Sequence, residues 1–182
     1  MNFHVTDEMN PRSAAKVVSH LREPRLWIPT ERDYGSKSHS EWLEKTEAEI
    51  AAGTRYALMA SFGRTIAGVT IFRPEPNEPS VAGIRNISIN PAYEGRYVGA
   101  FLLRNTELLI GDIQPTANTI IVDTKITNTD MLSFLDRQRY QTNGQAADLY
   151  GSGKADIVLT KSITPAQDEA IDPQPYADRS TR

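Results

Sequence analysis

Cysteine is absent from all 182 residues. That removes disulfides, thiolate metal ligands and cysteine nucleophiles together. Histidine is scarce. His4, His20 and His39 show no spacing suited to a metal, so they read as surface or cap residues and no metal site is expected. No apolar run approaches the roughly 20 residues of a membrane-spanning helix. The start, MNFHVTDEMNPR, has no basic stretch followed by an apolar one, so it does not read as a secretory signal, and a cytoplasmic location is expected. An excess of positive charge is also missing. The formal charge is −3 and the pI about 5.6, which does not advertise a nucleic-acid surface.

What is present is an ordinary globular balance, 39% hydrophobic and 24% charged. The chain is long enough for one domain with a substantial core. Composition changes once, near Ile163. The remainder is polar and proline-bearing, so residues 1–163 read as a single domain and 164–182 as a flexible tail.

Periodicity divides the domain. Phe3 to Thr6 reads as a short strand. Asn10-Pro11 opens a helix whose apolar face is Ala14, Val17, Val18 and Leu21. Ser38 and Glu41 form a capping box for a second helix that Gly53 stops. Tyr56 to Phe62 and Thr65 to Phe72 flank Gly63-Arg64 as a hairpin. A Pro-Glu-Pro-Asn-Glu-Pro stretch then separates them from a strand over Val81 to Asn90. Val98 to Ile110 reads as a helix with Val98, Phe101, Leu102, Leu108 and Leu109 on one side. Thr119 to Ile126 is a strand. Thr127 with Asp130 caps a further helix through Met131, Phe134 and Leu135, and strands near 140–150 and 155–160 end the domain. This order, β-α-α-β-β-β-α-β-α-β-β, predicts an α/β (α+β) fold with a mixed, mostly antiparallel sheet and helices on both faces.

The segment Glu94 to Ala100 joins a strand to a helix. A turn entering a helix N-terminus offers backbone donors and positive potential to a diphosphate. Gly95 and Gly99 permit close approach, and Arg96 is a candidate phosphate partner. A plain connecting turn is the alternative. Asp123 and Lys125 share one face of an otherwise apolar strand, as a cleft-facing pair or a structural ion pair. Asp123 is a candidate general base. Arg85 and Asn86 point to opposite faces of their strand. One of the two is a candidate for holding a substrate carboxylate or amide, and a solvent-facing Arg85 is the alternative.

Ile84 to Ile110 and Ile120 to Gln141 resemble the GNAT N-acetyltransferases. In the first block Ile87, Ile89, Pro91, Gly95, Arg96, Gly99, Leu102 and Leu103 fall on the family's strand, turn and helix positions. In the second, Asn128, Phe134 and Tyr140 match. The resemblance covers about Arg55 to Lys161. Glu94 and Tyr97 depart from it, standing where the family has Gln or Arg and glycine. So do Leu135, at the usual position of a proton-donating tyrosine, and Arg139, where a glycine is usual. The resemblance implies acetyl-CoA or another acyl-CoA as cofactor, and an amine of a small molecule, peptide or protein as acceptor. It implies that the strand around Ile87, Ser88 and Ile89 splays from its parallel neighbour and bonds the pantetheine arm. It implies a diphosphate at Glu94, Gly95, Arg96, Tyr97, Val98, Gly99 and Ala100. Asn128 would stand across the cleft, or serve as a simple N-cap. With Leu135 in the tyrosine position, Tyr93, Tyr97 and Tyr140 become candidate acids, each with a packing role as the alternative. Trp27 and Tyr34 lie in a loop that shapes the acceptor pocket in the family, or form a packed connection. Two further functions stay open: a toxin-type aminoacyl-tRNA acetyltransferase, which the net charge disfavours, and a CoA-binding regulatory module without turnover. A homodimer is also left open.

Overall fold

The computed structural model describes residues 2–5, 11–22, 39–147, 149 and 155–163. The strands are β1 (Asn2–Val5), β2 (Tyr56–Phe62), β3 (Thr65–Glu75), β4 (Glu78–Ile89), β5 (Thr119–Lys125), β6 (Gln141–Ala146) and β7 (Asp156–Ser162). The helices are α1 (Pro11–Leu21), α2 (His39–Ala51), α3 (Val98–Ile113) and α4 (Thr129–Arg137), with a 3-10 turn at Pro91–Tyr93. The element order is the expected one. Among the described residues the strands form a single seven-stranded sheet, ordered β1-β2-β3-β4-β5-β7-β6. Only the β4–β5 pairing is parallel.

Strand alternation sorts the core onto two faces. Ala57, Met59, Val69 and Ile71 point to one side, where they pack with Ala14, Val17, Val18 and Leu21 of α1 and Leu43 and Ile50 of α2. Leu58, Ala60 and Ala67 point to the other and meet Val98 and Leu102 of α3. Farther along that second face, Phe72, Ile84, Ile120, Val122 and Leu159 pack with Leu103, Ile110 and Leu135. Gly53, at φ +76, turns the chain out of α2, and the Thr54 N–H reaches back to the Glu49 carbonyl at 3.0 Å. Arg55 fastens this corner, bonding Thr46 at 2.8 Å and Glu49 at 2.6 Å.

Several local expectations need correction. The proline-rich stretch does not separate two strands. β3 and β4 run through it and turn at Pro76-Asn77, with Pro74 opposite Ala82 and Glu75 opposite Glu78. Pro74 on β3 and Pro79 on β4 are tolerated because β2 pairs with β3 only to Phe72 and β5 pairs with β4 only from Val81, so each has a free strand edge. In α3 the buried arc is Val98, Leu102, Leu103, Thr106 and Ile110, while Phe101 and Leu108 are exposed. At about 3.6 residues per turn those two fall outside the arc. The N-cap of α4 is Asn128, not Thr127. His20 is buried, because α2 packs on α1. The expected tail, 164–182, and the Ser38 cap lie outside the described residues.

Gly68 on β3 leaves no room for a side chain between sheet and helix. A Cβ there would come within 2.8 Å of both Ile89 and Leu102 and 2.9 Å of the Ser88 carbonyl. Gly68→Ala is expected to lower unfolding stability by about 2 kcal/mol through overpacking, read as a lower midpoint in urea denaturation.

Candidate functional site

β4 and β5 pair over only four residues, from Val81 opposite Thr119 to Ile84 opposite Val122. Past that point β4 stays with β3 as far as Ile89, and β5 stays with β7 as far as Lys125. The two strands therefore diverge, leaving a gap whose near end is the Ile84–Val122 pair. Its cause lies in β4. Ile71 opposes Asn86 and Phe72 opposes Ile84, so Arg85 is an extra residue, a β-bulge. A bulge bends and twists its strand. Ile89 and Leu102 both seat on Gly68, which ties the far end of β4 to β3 and α3.

Beyond β4 the chain enters the mouth of the gap. Asn90 caps the 3-10 turn, accepting from the Ala92 N–H at 3.0 Å and donating to the Ile66 carbonyl at 3.2 Å. Tyr93 stacks on Phe62 with ring centroids 5.0 Å apart, and Arg96 lies over Tyr93 at 5.9 Å. Gly95 at φ +71 and Tyr97 at φ +61 then turn the chain into α3. Tyr97 is the N-cap residue, yet its side chain caps nothing and is 85% exposed. The first-turn N–H groups of α3 receive no bond from it, and they carry the positive end of a 16-residue helix. Across the mouth, Asn128 opens α4. It accepts from the Met131 N–H at 3.4 Å and donates to Thr124 Oγ1 at 3.2 Å. Gly99 faces the Phe134 ring, which would stand 3.6 Å from a Cβ at that position.

The opposite face of the sheet is polar around the gap. Arg85 holds Glu75, and its other arm reaches Asp123 at 3.5 Å. Arg73 adds a 3.7 Å contact to Glu75. This pairing lies flat across Gly83, where a Cβ would come within 2.9 Å of the Arg85 guanidinium. Asn86 sits opposite Ile71, on the α1/α2 side. Alternation along β3 carries Arg73 and Glu75 to that side as well, so Arg85 and Asn86 share a face rather than pointing apart. The bulge is the reason.

Other expected site residues are engaged elsewhere. Lys125 is buried and paired with Asp156 at 3.0 Å, an ion pair that joins β5 to β7. Tyr140 is buried in the core, and its hydroxyl donates to Glu107 at 3.1 Å. Glu107 is also clasped by Lys161 at 2.7 Å. Burial first, then the charge and hydrogen bond of Glu107, push the Tyr140 phenol far above its ordinary value. That makes it a poor proton donor and corrects its candidacy. Leu135 is fully buried and brings no polar group. Trp27 and Tyr34 lie outside the described residues. Glu75 was missed because the proline-rich stretch hid the strand periodicity that places it, and Gly83 because its role depends on the Arg85 guanidinium lying beside it.

A search of solved structures finds neighbours of the same architecture. An aminoglycoside 6'-N-acetyltransferase complexed with coenzyme A superposes with a TM-score of 0.67 at 16% identity, over 92% of this chain and 100% of that one. The aminoglycoside 6'-N-acetyltransferase of Enterococcus faecium gives 0.66 at 16%, over 92% and 100%. A protein of Desulfovibrio desulfuricans assigned to the GNAT family gives 0.67 at 14%, over 88% and 98%. The fold is the GNAT fold. No family model matches the chain, and no curated protein matches it by sequence. Among the described residues, no helix is long and apolar enough to cross a membrane.

Tyr97 holds a left-handed conformation that costs an L-residue roughly 1–2 kcal/mol, and its exposed ring returns little packing. Tyr97→Gly is therefore expected to raise unfolding stability by up to about 1 kcal/mol, part of the gain being lost to glycine's extra unfolded-state entropy. Thermal and urea denaturation check this.

Proposed function

We propose that the chain is an acyl-CoA-dependent N-acyltransferase, with acetyl-CoA as donor and an amine as acceptor. The observation that carries this is the ending of the β4–β5 ladder at Ile84 and Val122, with an uncapped helix N-terminus at the mouth of the gap. CoA is a diphosphate joined to an amide-bearing arm. The parts present fit both. The loop Glu94 to Ala100, with two left-handed residues aiming the chain into α3, presents backbone donors to the diphosphate. Arg96 is exposed there to add charge. The unpaired edge of Ile87, Ser88 and Ile89 offers N–H and C=O groups to amides.

The bound cofactor would supply an activated acyl thioester. The chain's own residues supply placement. A backbone N–H on the open edge of β4 holds a developing negative oxygen at the reacting carbonyl. Asp123, one residue past the last pair of the ladder, attracts the incoming ammonium and takes its proton. Leu135 has no proton to give and Tyr140 keeps its own, so the leaving sulfur would take its proton from solvent or from Tyr97, exposed at the mouth of the gap. Asn128 keeps α4 seated at the far wall. Leu135 also favours a second reading, in which the domain binds acyl-CoA without transferring the acyl group. Acetyl-transfer assays across amines, after CoA binding is established, separate the two.

Gly99→Trp tests the cofactor site. The Cβ itself makes only ordinary contacts of 3.6–3.7 Å with Phe134 and Ile89, so the helix tolerates it, but the indole must occupy the mouth. The variant is expected to keep its circular dichroism spectrum and lose CoA binding by calorimetry. Unchanged affinity in a folded variant would sink the proposed site.

A further inference from the structure

Past the end of the ladder, β4 carries polar side chains that the described residues leave unsatisfied. Ser88 is 4% exposed, and its Oγ has no hydrogen-bond partner among the described residues. Asn86 Oδ1, two residues earlier on the same face, is also buried and unpartnered. The Nε of Arg85 is in the same condition, although its terminal nitrogens hold Glu75 and Asp123. A buried polar atom left unpaired costs on the order of 1–3 kcal/mol, and folded proteins keep few of them. The strand partners offer no relief, because Asn86 and Ser88 sit opposite Ile71 and Val69, which are core residues. Valine or threonine would serve a purely structural β4 better. The unsatisfied atoms run in a row from the bulge, on the face that bears Asp123.

We infer that Asn86 and Ser88 hydrogen-bond the acceptor, and that they select a primary amine bearing neutral hydroxyl or amide groups over one bearing a carboxylate. This rests on the acyl-transfer reading above. Asn86 Oδ1 only accepts, so it takes an O–H or N–H from the ligand, while Ser88 Oγ both gives and accepts. Charge sets the preference. On this face Arg73, Arg85 and Lys125 stand against Glu75, Asp123 and Asp156, and each cation already contacts a carboxylate. An incoming carboxylate would meet Glu75 and Asp123 without an uncommitted cation in this group. A hydroxylated amine meets Asn86 Oδ1 and Ser88 Oγ, which have no partner among the described residues.

The test uses the full chain with CoA affinity measured first by calorimetry. Acetyl transfer is then followed with glucosamine, glycine and butylamine as acceptors. Glucosamine is expected to give the highest kcat/KM and glycine the lowest. Asn86→Leu is expected to raise the KM for glucosamine about tenfold, the loss of one hydrogen bond, with CoA affinity unchanged. Ser88→Ala acts in the same direction. Neither variant should melt below the wild type, because Asn86 Oδ1 and Ser88 Oγ have no partner among the described residues. A lower melting temperature in both, or an unaltered KM, overturns the assignment. CoA binding without transfer to any of the three amines also overturns it and leaves the cofactor site standing. Absence of CoA binding removes the acyl-transfer reading itself.

Discussion

Two neighbouring strands of one sheet that stop bonding to each other after four residue pairs impose a constraint on everything around them. Their inner edges carry main-chain donors and acceptors that cannot bond each other across the gap, and such groups are costly unless water or a ligand meets them. The bulge at Arg85 starts the divergence. Gly68 ties the far end of β4 to β3 and α3, while β7 holds β5 in place. Each wall is thus stabilised from its outer side. The opening exists because each strand is better served by its other neighbour.

The two faces of the sheet at this opening differ in chemistry, and the difference comes from strand alternation. On the α3/α4 side, Ile84, Val122 and Leu159 belong to the apolar core. On the other, Glu75, Arg85 and Asp123 form a partly buried ionic group beside Asn86 and Ser88. Ion pairs of this kind add little net stability, yet removing one partner strands the other's charge. Their contribution is positional. Arg85 bridges β3 and β5 at the bulge, and Gly83 leaves room for its guanidinium to lie close to the sheet. Charges that are mutually satisfied leave the neighbouring neutral groups to recognise a ligand.

Much of the fold was legible because hydrophobic period is local. The spacing of Ala14, Val17, Val18 and Leu21 marks α1, and the Gly63-Arg64 turn marks the β2–β3 hairpin. The gap was anticipated through resemblance, on residues around Ile87 and Gly99. What stayed hidden is non-local. The bulge at Arg85 depends on which residues of β3 stand opposite, and no spacing within β4 encodes that. Tyr140 finds Glu107 33 residues away, and Lys125 finds Asp156 31 residues away, so each read as an available group from sequence. Tyr97 is a different case. The turn needs a left-handed residue, and a glycine-based signature is blind to a tyrosine that adopts the same φ.

α3 has a mechanical consequence for this arrangement. Its Val98 and Leu102 are embedded with β2 and β3, its Leu103 and Ile110 join a cluster drawn from β3, β4, β5 and β7, and its Glu107 holds Lys161 of β7. The domain is accordingly a pair of leaves bound along a short spine, Val81–Ile84 against Thr119–Val122, with one helix glued to both leaves. Spreading the leaves must therefore load that helix, whose first turn stands at the entrance. How widely the domain opens and how firmly its entrance grips an anion are one mechanical variable.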